Sequence, residues 1–128
     1  MPRHLTPSGI HPPFARYNHG VEIAPGSRAV FVSGQVGIDA DGRVPDGVEA
    51  QTALCFENIH AILAAAGMDA THIVRLNTYV VGTEHLAGFM AARDRIVADP
   101  PPASTLLVVA GLVRPEFVVE IEAVAARE

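Results

Sequence analysis

The chain has 128 residues, 49% of them hydrophobic, and a formal net charge of −5 at pH 7. This length is typical of one domain with a substantial core, and the net acidity argues against a nucleic-acid surface, which needs clustered basic residues. All nine basic residues are Arg, and without Lys the chain has no amine for Schiff-base catalysis or for covalent attachment of pyridoxal phosphate.

The remaining composition predicts a cytoplasmic protein without cofactor or metal. A single cysteine, Cys55, excludes an internal disulfide and a thiolate metal cluster, and the six histidines show no ligand spacing. The N-terminus carries four prolines in residues 1–15 and lacks the apolar core of a signal peptide. No apolar run approaches the roughly 20 residues of a membrane span.

The first half of the chain predicts an irregular start, a hairpin and a helix. Residues 1–15 are expected to be irregular, and the apolar stretches 21–24 and 29–36 around "PGSR" predict a β-hairpin. The helix is predicted over "DGVEAQTALCFENIHAILAAAG", where Asp46 and Glu49 have the spacing of a capping box and Gly67 is a natural stop. Its predicted apolar face comprises Cys55, Ile59, Ile62, Leu63 and Ala66.

The second half predicts a strand, a helix and two further strands. "IVRLNTYVV" is β-rich, and "TEHLAGFMAARDRIVADP" predicts a helix with Thr83 as N-cap. "LLVVAGLV" follows the stiff "PPPAST", and "VRPEFVVEIEAVAARE" closes the chain. The order β-β-α-β-α-β-β predicts an α+β sheet with both helices on one face. Neither face of the predicted strands is strongly polar, which favours a sheet surface that associates with other copies of the chain. The alternative is that short strands do not show a clear alternation of polar and apolar residues.

Two carboxylates lie in the middle of the last strand. Glu120 and Glu122 are two residues apart, so they share a face about 7 Å apart, a geometry that suits general acid–base catalysis. In the alternative interpretation, one pairs with an Arg and the other is solvated at a sheet edge. Burying an unpaired carboxylate costs several kcal/mol, so both acids need partners, solvent or a function.

Four other positions have both a functional and a structural interpretation. Gly34, in the middle of a strand, marks a bulge or the close approach of a ligand, or is a packing glycine. Cys55 lies on the apolar helix face and is read as core, and His60 is read as a solvated helix residue. Ser104 follows the proline-rich loop without a Ser-His-Asp pattern.

Five motifs follow one another from about Tyr17 to the C-terminus: "FVSGQVG", "QTALCFENIHAILAAAGM", "IVRLNTYV", "PPPAST" and "VEIEAVA". In their order and spacing they resemble the Rid (reactive intermediate deaminase, YjgF-type) family, also labelled endoribonuclease L-PSP. The chain resembles this family over nearly its whole length as a single domain, 1–128. The resemblance implies a chorismate-mutase-like fold and a homotrimeric barrel with clefts between subunits. Known members hydrolyse 2-imino acids and enamines.

The resemblance also implies a set of cleft residues. Tyr17 matches a family tyrosine near the cleft, Gly34 the glycine of the Ser-Gly-Gln strand, and Glu120 the glutamate that places the attacking water. The sequence departs from the family at Ser104, which stands where active deaminases have an arginine that grips the substrate carboxylate, and at Leu106, often a cysteine. A serine hydroxyl cannot replace a bidentate charged donor.

The lost arginine changes the expected ligand. Two acids without it suit a neutral or cationic small molecule better than an anionic one, unless Arg16 or Arg114 reaches the cleft. Glu122 is expected beside Glu120, near an Arg. The leading hypothesis is a trimeric hydrolase of an imine, enamine or related amine derivative other than a standard 2-imino acid. The alternative is a non-catalytic ligand-binding or stress-protective protein on the same scaffold; ribonuclease activity is disfavoured by the charge. No nucleic-acid or membrane partner is predicted.

Overall fold

The computed structural model describes residues 2–128, which form six strands and two helices. The strands are β1 (Arg3–Leu5), β2 (Gly20–Glu22), β3 (Arg28–Val36), β4 (Ile73–Val81), β5 (Ala103–Val109) and β6 (Val119–Arg127). The helices are α1 (Val48–Ala65) and α2 (Leu86–Ile96), and 3-10 turns cover Ala70–His72 and Thr83–His85. Neither helix in residues 2–128 is long and apolar enough to cross a bilayer.

The main sheet has the strand order β3-β6-β4-β5. β6 pairs antiparallel with β3 and with β4, whereas β4 and β5 are parallel neighbours because α2 connects them. The predicted α+β class with two helices is confirmed. β3 and β5 form the two outer edges of this sheet, which matters for the arrangement of the candidate site.

The predicted hairpin of residues 21–24 and 29–36 is wrong. The turn itself forms, since Ser27 N donates to Ala24 O at 3.2 Å and Gly26 has a φ of +81°. However, β2 pairs with β1, with His4 opposite Val21, in a separate two-stranded sheet. Residues 1–15 are therefore not wholly irregular, because a three-residue strand fits between the prolines at positions 2 and 7.

The start of α1 differs from the prediction and its end agrees with it. The N-cap is Gly47 at φ +92°, without a side-chain cap, so the predicted box of Asp46 and Glu49 does not form. At the C-terminus, Gly67 adopts a φ of +71°, and Met68 N donates to Leu63 O at 2.9 Å. Together with the 3.0 Å bond from Gly67 N to Ala64 O, this is a Schellman motif.

The second helix begins later than predicted. Thr83 opens the 3-10 turn instead of capping α2, because Gly82 before it takes a φ of +76°. Phe89 is buried, and Arg93 is only 4% exposed. The Arg93 guanidinium lies over the Phe89 ring, 5.5 Å from its centroid, and donates to Asp94 Oδ1 at 3.0 and 3.1 Å.

The core lies between the helices and one face of the sheet. Cys55, Ile59 and Leu63 point inward as predicted, whereas Ile62 is 37% exposed and Phe56 takes its place in the core. The sheet contributes alternate residues of each strand, as a period of two requires. The buried sheet residues include Val32, Leu76, Thr78, Val80, Val119, Ile121, Ala123 and Ala125.

The opposite face of the sheet, which we call the open face, is more polar than the sequence indicated. Its centre carries Glu120 and Glu122 on β6 and Asn77 and Tyr79 on β4, all half-buried, and its most exposed large apolar residues lie on the edge strands. Among these, Phe31 on β3 is 79% exposed and Leu107 on β5 is 51% exposed. The expected sheet with two apolar faces is therefore replaced by one apolar face and one mixed face.

Candidate functional site

A β-bulge in β3 shapes the open face around Gly34. Val32 lies opposite Ala123 and Gln35 opposite Ile121, so Ser33 and Gly34 together face the single residue Glu122. A bulge re-aims the strand and leaves its extra residue outside the ladder. The interpretation of Gly34 as a bulge glycine is confirmed.

Glu120 fills the space that the missing side chain of Gly34 leaves open. A Cβ added at Gly34 would overlap Glu120 Oε2 and would stand 2.9 Å from Cδ and 3.2 Å from Cγ. The carboxylate therefore crosses from β6 over the bulge on β3. Within residues 2–128, Glu120 receives no hydrogen bond and forms no ion pair.

Glu122 has the two partners that Glu120 lacks. Its Oε1 accepts from Asn77 Nδ2 at 3.1 Å and from the Tyr79 hydroxyl at 3.0 Å. Tyr79 lies directly opposite Glu120 in the ladder but reaches diagonally to Glu122. The partners of Glu122 are therefore an amide and a phenol instead of the expected arginine. The two acids differ in that Glu122 is held by hydrogen bonds and Glu120 is not.

Both carboxylates raise the pKa of Tyr79. The hydrogen bond to Glu122 raises the pKa of Tyr79, and burial and the charges of Glu122 and Glu120 raise it further, while Arg75 opposes them. Tyr79 is thus a hydroxyl donor at neutral pH and is committed to Glu122. Sequence reasoning missed Asn77 and Tyr79, although the alternation Arg75, Asn77, Tyr79 along β4 carries the signal that these side chains share one face.

A depression of about 350 Å³ lies beside Glu122 on the open face. Its polar lining comes from Ser33, Asn77 and Glu122, and its apolar lining includes Phe31 and Val124. Its lining comes from β3, β4 and β6. Ser33 of the bulge and the carboxylate of Glu122 both belong to this lining.

The other predicted site residues lie at the opposite edge of the sheet. Asn18 forms a parallel bridge to Ala103, and its side chain donates to Pro101 O at 2.8 Å, which places Tyr17 beside the start of β5. The Tyr17 hydroxyl accepts from Phe14 N at 3.2 Å. Tyr17 and Ser104 are both half-buried and are therefore partly accessible from this edge.

The predicted site residues divide into two groups within one chain. Ser104 pairs with Leu76, and Leu106 pairs with the buried Thr78, so both belong to the helix side of the sheet. Glu120 lies on the open face, two strands and three residues away from Ser104, which corresponds to roughly 14 Å between Cα atoms. One copy of the chain brings Gly34 and Glu120 together, but not with Tyr17, Ser104 and Leu106.

Arg16 and Arg114, the two possible replacements for the missing arginine, form contacts with other groups. Arg16 donates to Val97 O and Ala98 O, both at 3.3 Å, and its Nε is buried without a partner in residues 2–128. Arg114 donates to Glu116 at 2.7 Å and lies 4.8 Å from the centroid of the Phe117 ring. These contacts hold Arg16 at the end of α2 and Arg114 in the loop before β6.

Two further groups were assigned structural roles from the sequence. Burial, with a contribution from the Glu120 charge, raises the pKa of the Cys55 thiol to about 12, and its sulfur lies 4.0 Å from Val119 O. Cys55 is therefore a core residue, as predicted. His60 is not the solvated residue that was expected: it is half-buried, its Nε2 is enclosed without a partner in the described residues, and burial lowers its pKa.

Comparison with known proteins agrees with this fold. The family model described as endoribonuclease L-PSP matches residues 9–127. The RutC family protein YjgH of Escherichia coli is 33% identical over 96 residues, which cover 74% of this chain and 72% of that protein. The protein DfrA of Myxococcus xanthus is 32% identical over 111 residues, covering 85% and 83% of the two chains.

Solved structures show the same architecture. A Rid family protein of unknown function from Yersinia pestis superposes with a TM-score of 0.82 at 32% identity and covers 98% of both chains. TdcF of E. coli, whose crystal structure contains bound serine, gives a TM-score of 0.71 at 29% identity over 95% of this chain and 93% of its own. The shared fold places the bulge and the two carboxylates on a scaffold common to these proteins.

Proposed function

Because the chain belongs to the Rid family, we propose that it is a homotrimeric protein with clefts between its copies that hydrolyses a small carbon–nitrogen compound. The substrate is an imine, an enamine or a related amine derivative other than a standard 2-imino acid. No cofactor or metal takes part, and the protein acts in the cytoplasm. The residues in the cleft are Glu120 and Gly34 from one copy and Tyr17, Ser104 and Leu106 from another.

The observation that supports this proposal most strongly is the contrast between the two acids. Glu122 is fixed by two donors, whereas Glu120 is half-buried over Gly34 without a donor in residues 2–128. A half-buried carboxylate without a protein donor is suited to hold a water molecule in a defined place. Tyr79 leaves it free because its hydroxyl is engaged by Glu122.

The chemistry follows from that water. Glu120 accepts a proton while the water oxygen bonds to the carbon of a C=N group, and the nitrogen takes up a proton as the C=N double bond becomes single. The resulting amino alcohol then breaks its C–N bond, giving a carbonyl compound and ammonia or an amine. An iminium carbon is cationic, so the negative charge of Glu120 also stabilises the reacting form.

The division of the site residues supports the trimer. Gly34 and Glu120 lie toward the β3 edge, and Tyr17 and Ser104 lie at the β5 edge. Edge-to-edge contact of two copies is the arrangement that joins the two groups in one cleft. It would also cover part of the exposed apolar surface, such as Phe31 and Leu107, and would remove two unpaired strand edges.

The missing arginine supports the choice of substrate. TdcF is described with bound serine, which carries a carboxylate and an ammonium group. In this chain Ser104 stands where a carboxylate-binding arginine is expected, and Arg16 and Arg114 are engaged by other groups. Loss of such a charged contact typically reduces binding on the order of 100-fold. An anionic 2-imino acid is therefore a poor substrate.

A non-catalytic ligand-binding protein is the second candidate. The observation that favours it concerns the proton donor that a hydrolase needs. Within residues 2–128, the hydroxyl nearest in the ladder to Glu120 is that of Tyr79, and it already donates to Glu122. A hydrolase then needs water or the neighbouring copy to protonate the leaving nitrogen. In this case Glu120→Gln would leave ligand binding intact, and no substrate would be turned over.

The test is hydrolysis of imines generated in situ, by an amino-acid oxidase for 2-imino acids and by an amine oxidase for imines without a carboxylate, with semicarbazide trapping the imine that the protein does not consume. The wild type is compared with Ser104→Arg and Glu120→Gln on 2-imino acids and on imines of simple amines without a carboxylate. The proposal predicts that the wild type hydrolyses the uncharged imines, that Ser104→Arg gains activity on 2-imino acids, and that Glu120→Gln is inactive on both. Efficient wild-type hydrolysis of 2-imino acids would contradict the argument from Ser104.

A further inference from the structure

Arg16 attaches the chain before Tyr17 to the end of α2. Its Nη2 donates to Val97 O and to Ala98 O, both at 3.3 Å. Carbonyls at the C-terminal end of a helix lack donors within the helix and carry partial negative charge, so a guanidinium is a favourable partner there. Val97 is the C-cap of α2 and packs against the core, which makes it a fixed point of attachment.

Asn18 attaches the chain after Tyr17 to the loop that leads into β5. Its backbone N–H donates to Pro102 O at 3.0 Å, and its side-chain Nδ2 donates to Pro101 O at 2.8 Å. It also forms the parallel bridge to Ala103, the first residue of β5. Tyr17 is therefore held between two attachments, one on each side of it in the chain.

Residues 97–102, which we call the α2–β5 loop, are suited to receive these bonds. Three of them, at positions 100–102, are prolines, which have no backbone N–H and can only accept. The loop is supported from its inner side, because the buried Pro102 lines a small cavity together with Phe56 and Ile96 of the core region. The loop is thus a firm base whose hydrogen-bond donors come from residues 16 and 18.

The polar and ring contacts of Tyr17 itself are all local. Its backbone N–H donates to Ala15 O at 3.0 Å, its hydroxyl accepts from Phe14 N, and its ring meets that of His19 edge-on at 5.9 Å between centroids. Such contacts shape the segment but do not fix it relative to the sheet. The position of Tyr17 relative to β5 therefore depends on the bonds of Arg16 and Asn18.

We propose that Arg16 and Asn18 are positioning residues that fix Tyr17 relative to Ser104, so that the two residues form one wall of the cleft. Tyr17 and Ser104 each lie one residue from the bridge between Asn18 and Ala103. The inference rests on the proposed function, which assigns Tyr17 and Ser104 to the cleft. The bonds that carry it lie within one copy of the chain, and neither positioning residue has to contact the substrate.

The first test is 19F NMR of the full chain in its natural assembly, labelled with 3-fluorotyrosine. The chain has two tyrosines, and Tyr79 on β4, held by Glu122, is an internal reference for the folded state. In Arg16→Met, which keeps an unbranched apolar stem without the donors, we expect the Tyr17 signal to move toward its position in the unfolded protein while the Tyr79 signal stays. Asn18→Ala should give a smaller shift, because its backbone bond remains. An unchanged Tyr17 signal in both variants would overturn the inference.

Arg28 provides the matched control variant. Its Nη1 and Nη2 donate to Ala66 O, both at 3.4 Å, at the C-terminal end of α1. Arg28→Met therefore removes the same kind of contact from the other helix, and the Tyr17 signal should not change. Arg16→Lys, which keeps a charged donor, should restore part of the wild-type Tyr17 signal. Equal shifts of the Tyr17 signal in Arg16→Met and Arg28→Met would show a general loss of stability and refute the positioning role.

Kinetics of uncharged imines test whether the position of Tyr17 matters for the reaction. Arg16→Met should lower kcat/KM about 10- to 100-fold, since a displacement of about 1 Å can have an effect of that size. In a Tyr17→Ala background the same substitution should change kcat/KM by less than about 2-fold, because the group that Arg16 positions is gone. An equal loss in both backgrounds would show that Arg16 does not act through Tyr17.

The positioning test and the hydrolysis test can fail separately. If Arg16→Met shifts the Tyr17 signal as expected but the wild type hydrolyses no imine, the attachment of Tyr17 stands and the hydrolytic proposal falls. If uncharged imines are hydrolysed with a Glu120 dependence but Arg16→Met changes neither the Tyr17 signal nor kcat/KM, the hydrolytic proposal stands and the positioning role is wrong.

Discussion

Substitution of Gly34 by alanine separates the function of the bulge from the stability of the fold. The new Cβ would overlap the carboxylate of Glu120, which is the far end of a flexible side chain. Glu120 can rotate away, and a displaced or strained rotamer costs about 0.5–1.5 kcal/mol. Gly34 does not have a positive φ, so alanine also stabilises by about 0.4–1 kcal/mol through the unfolded chain. The net change in unfolding free energy should be within about 1 kcal/mol.

Gly37 provides the matched control, because its surroundings are rigid. A Cβ there would lie 2.6 Å from Gln51 Cβ and 2.7 Å from Gln51 Cα. Gln51 is held by three hydrogen bonds, to Pro45 O at 3.0 Å, to Glu116 O at 2.9 Å and from Val118 N at 3.0 Å. Overpacking against a fixed backbone typically costs 1–3 kcal/mol, so we expect Gly37→Ala to cost about 2 kcal/mol or more.

Urea unfolding measures the stability of these variants, and the imine assay measures their activity. Gly34→Ala should keep near wild-type stability and lose about 100-fold in activity, since a displacement of about 1 Å in a catalytic group has that effect. The double variant Gly34→Ala/Glu120→Ala should recover the strain energy and show a coupling of about 0.5–1.5 kcal/mol. A loss of several kcal/mol in Gly34→Ala that Glu120→Ala does not restore would refute the proposed contact between the bulge and the carboxylate.

Three further outcomes follow from the same structure. Gly67→Ala should lower the unfolding free energy by about 1 kcal/mol or more because Gly67 has a φ of +71°, whereas Gly67→Asn should lower it less because asparagine tolerates that conformation. Equal losses of unfolding free energy in urea would contradict the Schellman assignment. The Cys55 thiol, with a pKa of about 12, should resist a thiol reagent such as 5,5′-dithiobis(2-nitrobenzoate) at pH 8 until the protein unfolds, so rapid labelling of the native protein would show that the helix interface opens. Burial lowers the pKa of His60 below its ordinary 6.5, so the unfolded chain binds the proton first and stability should decline as pH falls below about 6.5; His60→Phe should reduce this slope in thermal unfolding, and an unchanged slope would assign the pH dependence to other groups.

Local patterns in the sequence predicted the elements better than their partners. The apolar spacing of α1 and the glycine at position 67 indicated a helix and its end, because both signals act within one or two turns. The turn at Ala24–Ser27 was also visible, but which strand β2 pairs with depends on β1, fifteen or more residues away. A turn signal fixes the change of direction and does not fix the hydrogen-bonding partner.

The same limit applies to the candidate site. The spacing of Glu120 and Glu122 correctly placed both side chains on one face, since this needs only the period of a strand. The partners of Glu122 depend on the register between β4 and β6, which joins residues more than 40 positions apart. Favouring an arginine as partner was reasonable from charge alone, but Asn77 and Tyr79 occupy the positions within reach.

The central claim is that Glu120 of one copy and the Tyr17–Ser104 edge of another form one cleft. The most direct measurement is an isotope-filtered NOE experiment on a mixture of labelled and unlabelled protein, which reports contacts between copies only. We expect intermolecular NOEs from the Tyr17 ring to protons of Gly34 and Glu120, in an assembly of three copies. Absence of these NOEs from an otherwise well-resolved spectrum, or a monomer in sedimentation equilibrium, would contradict it.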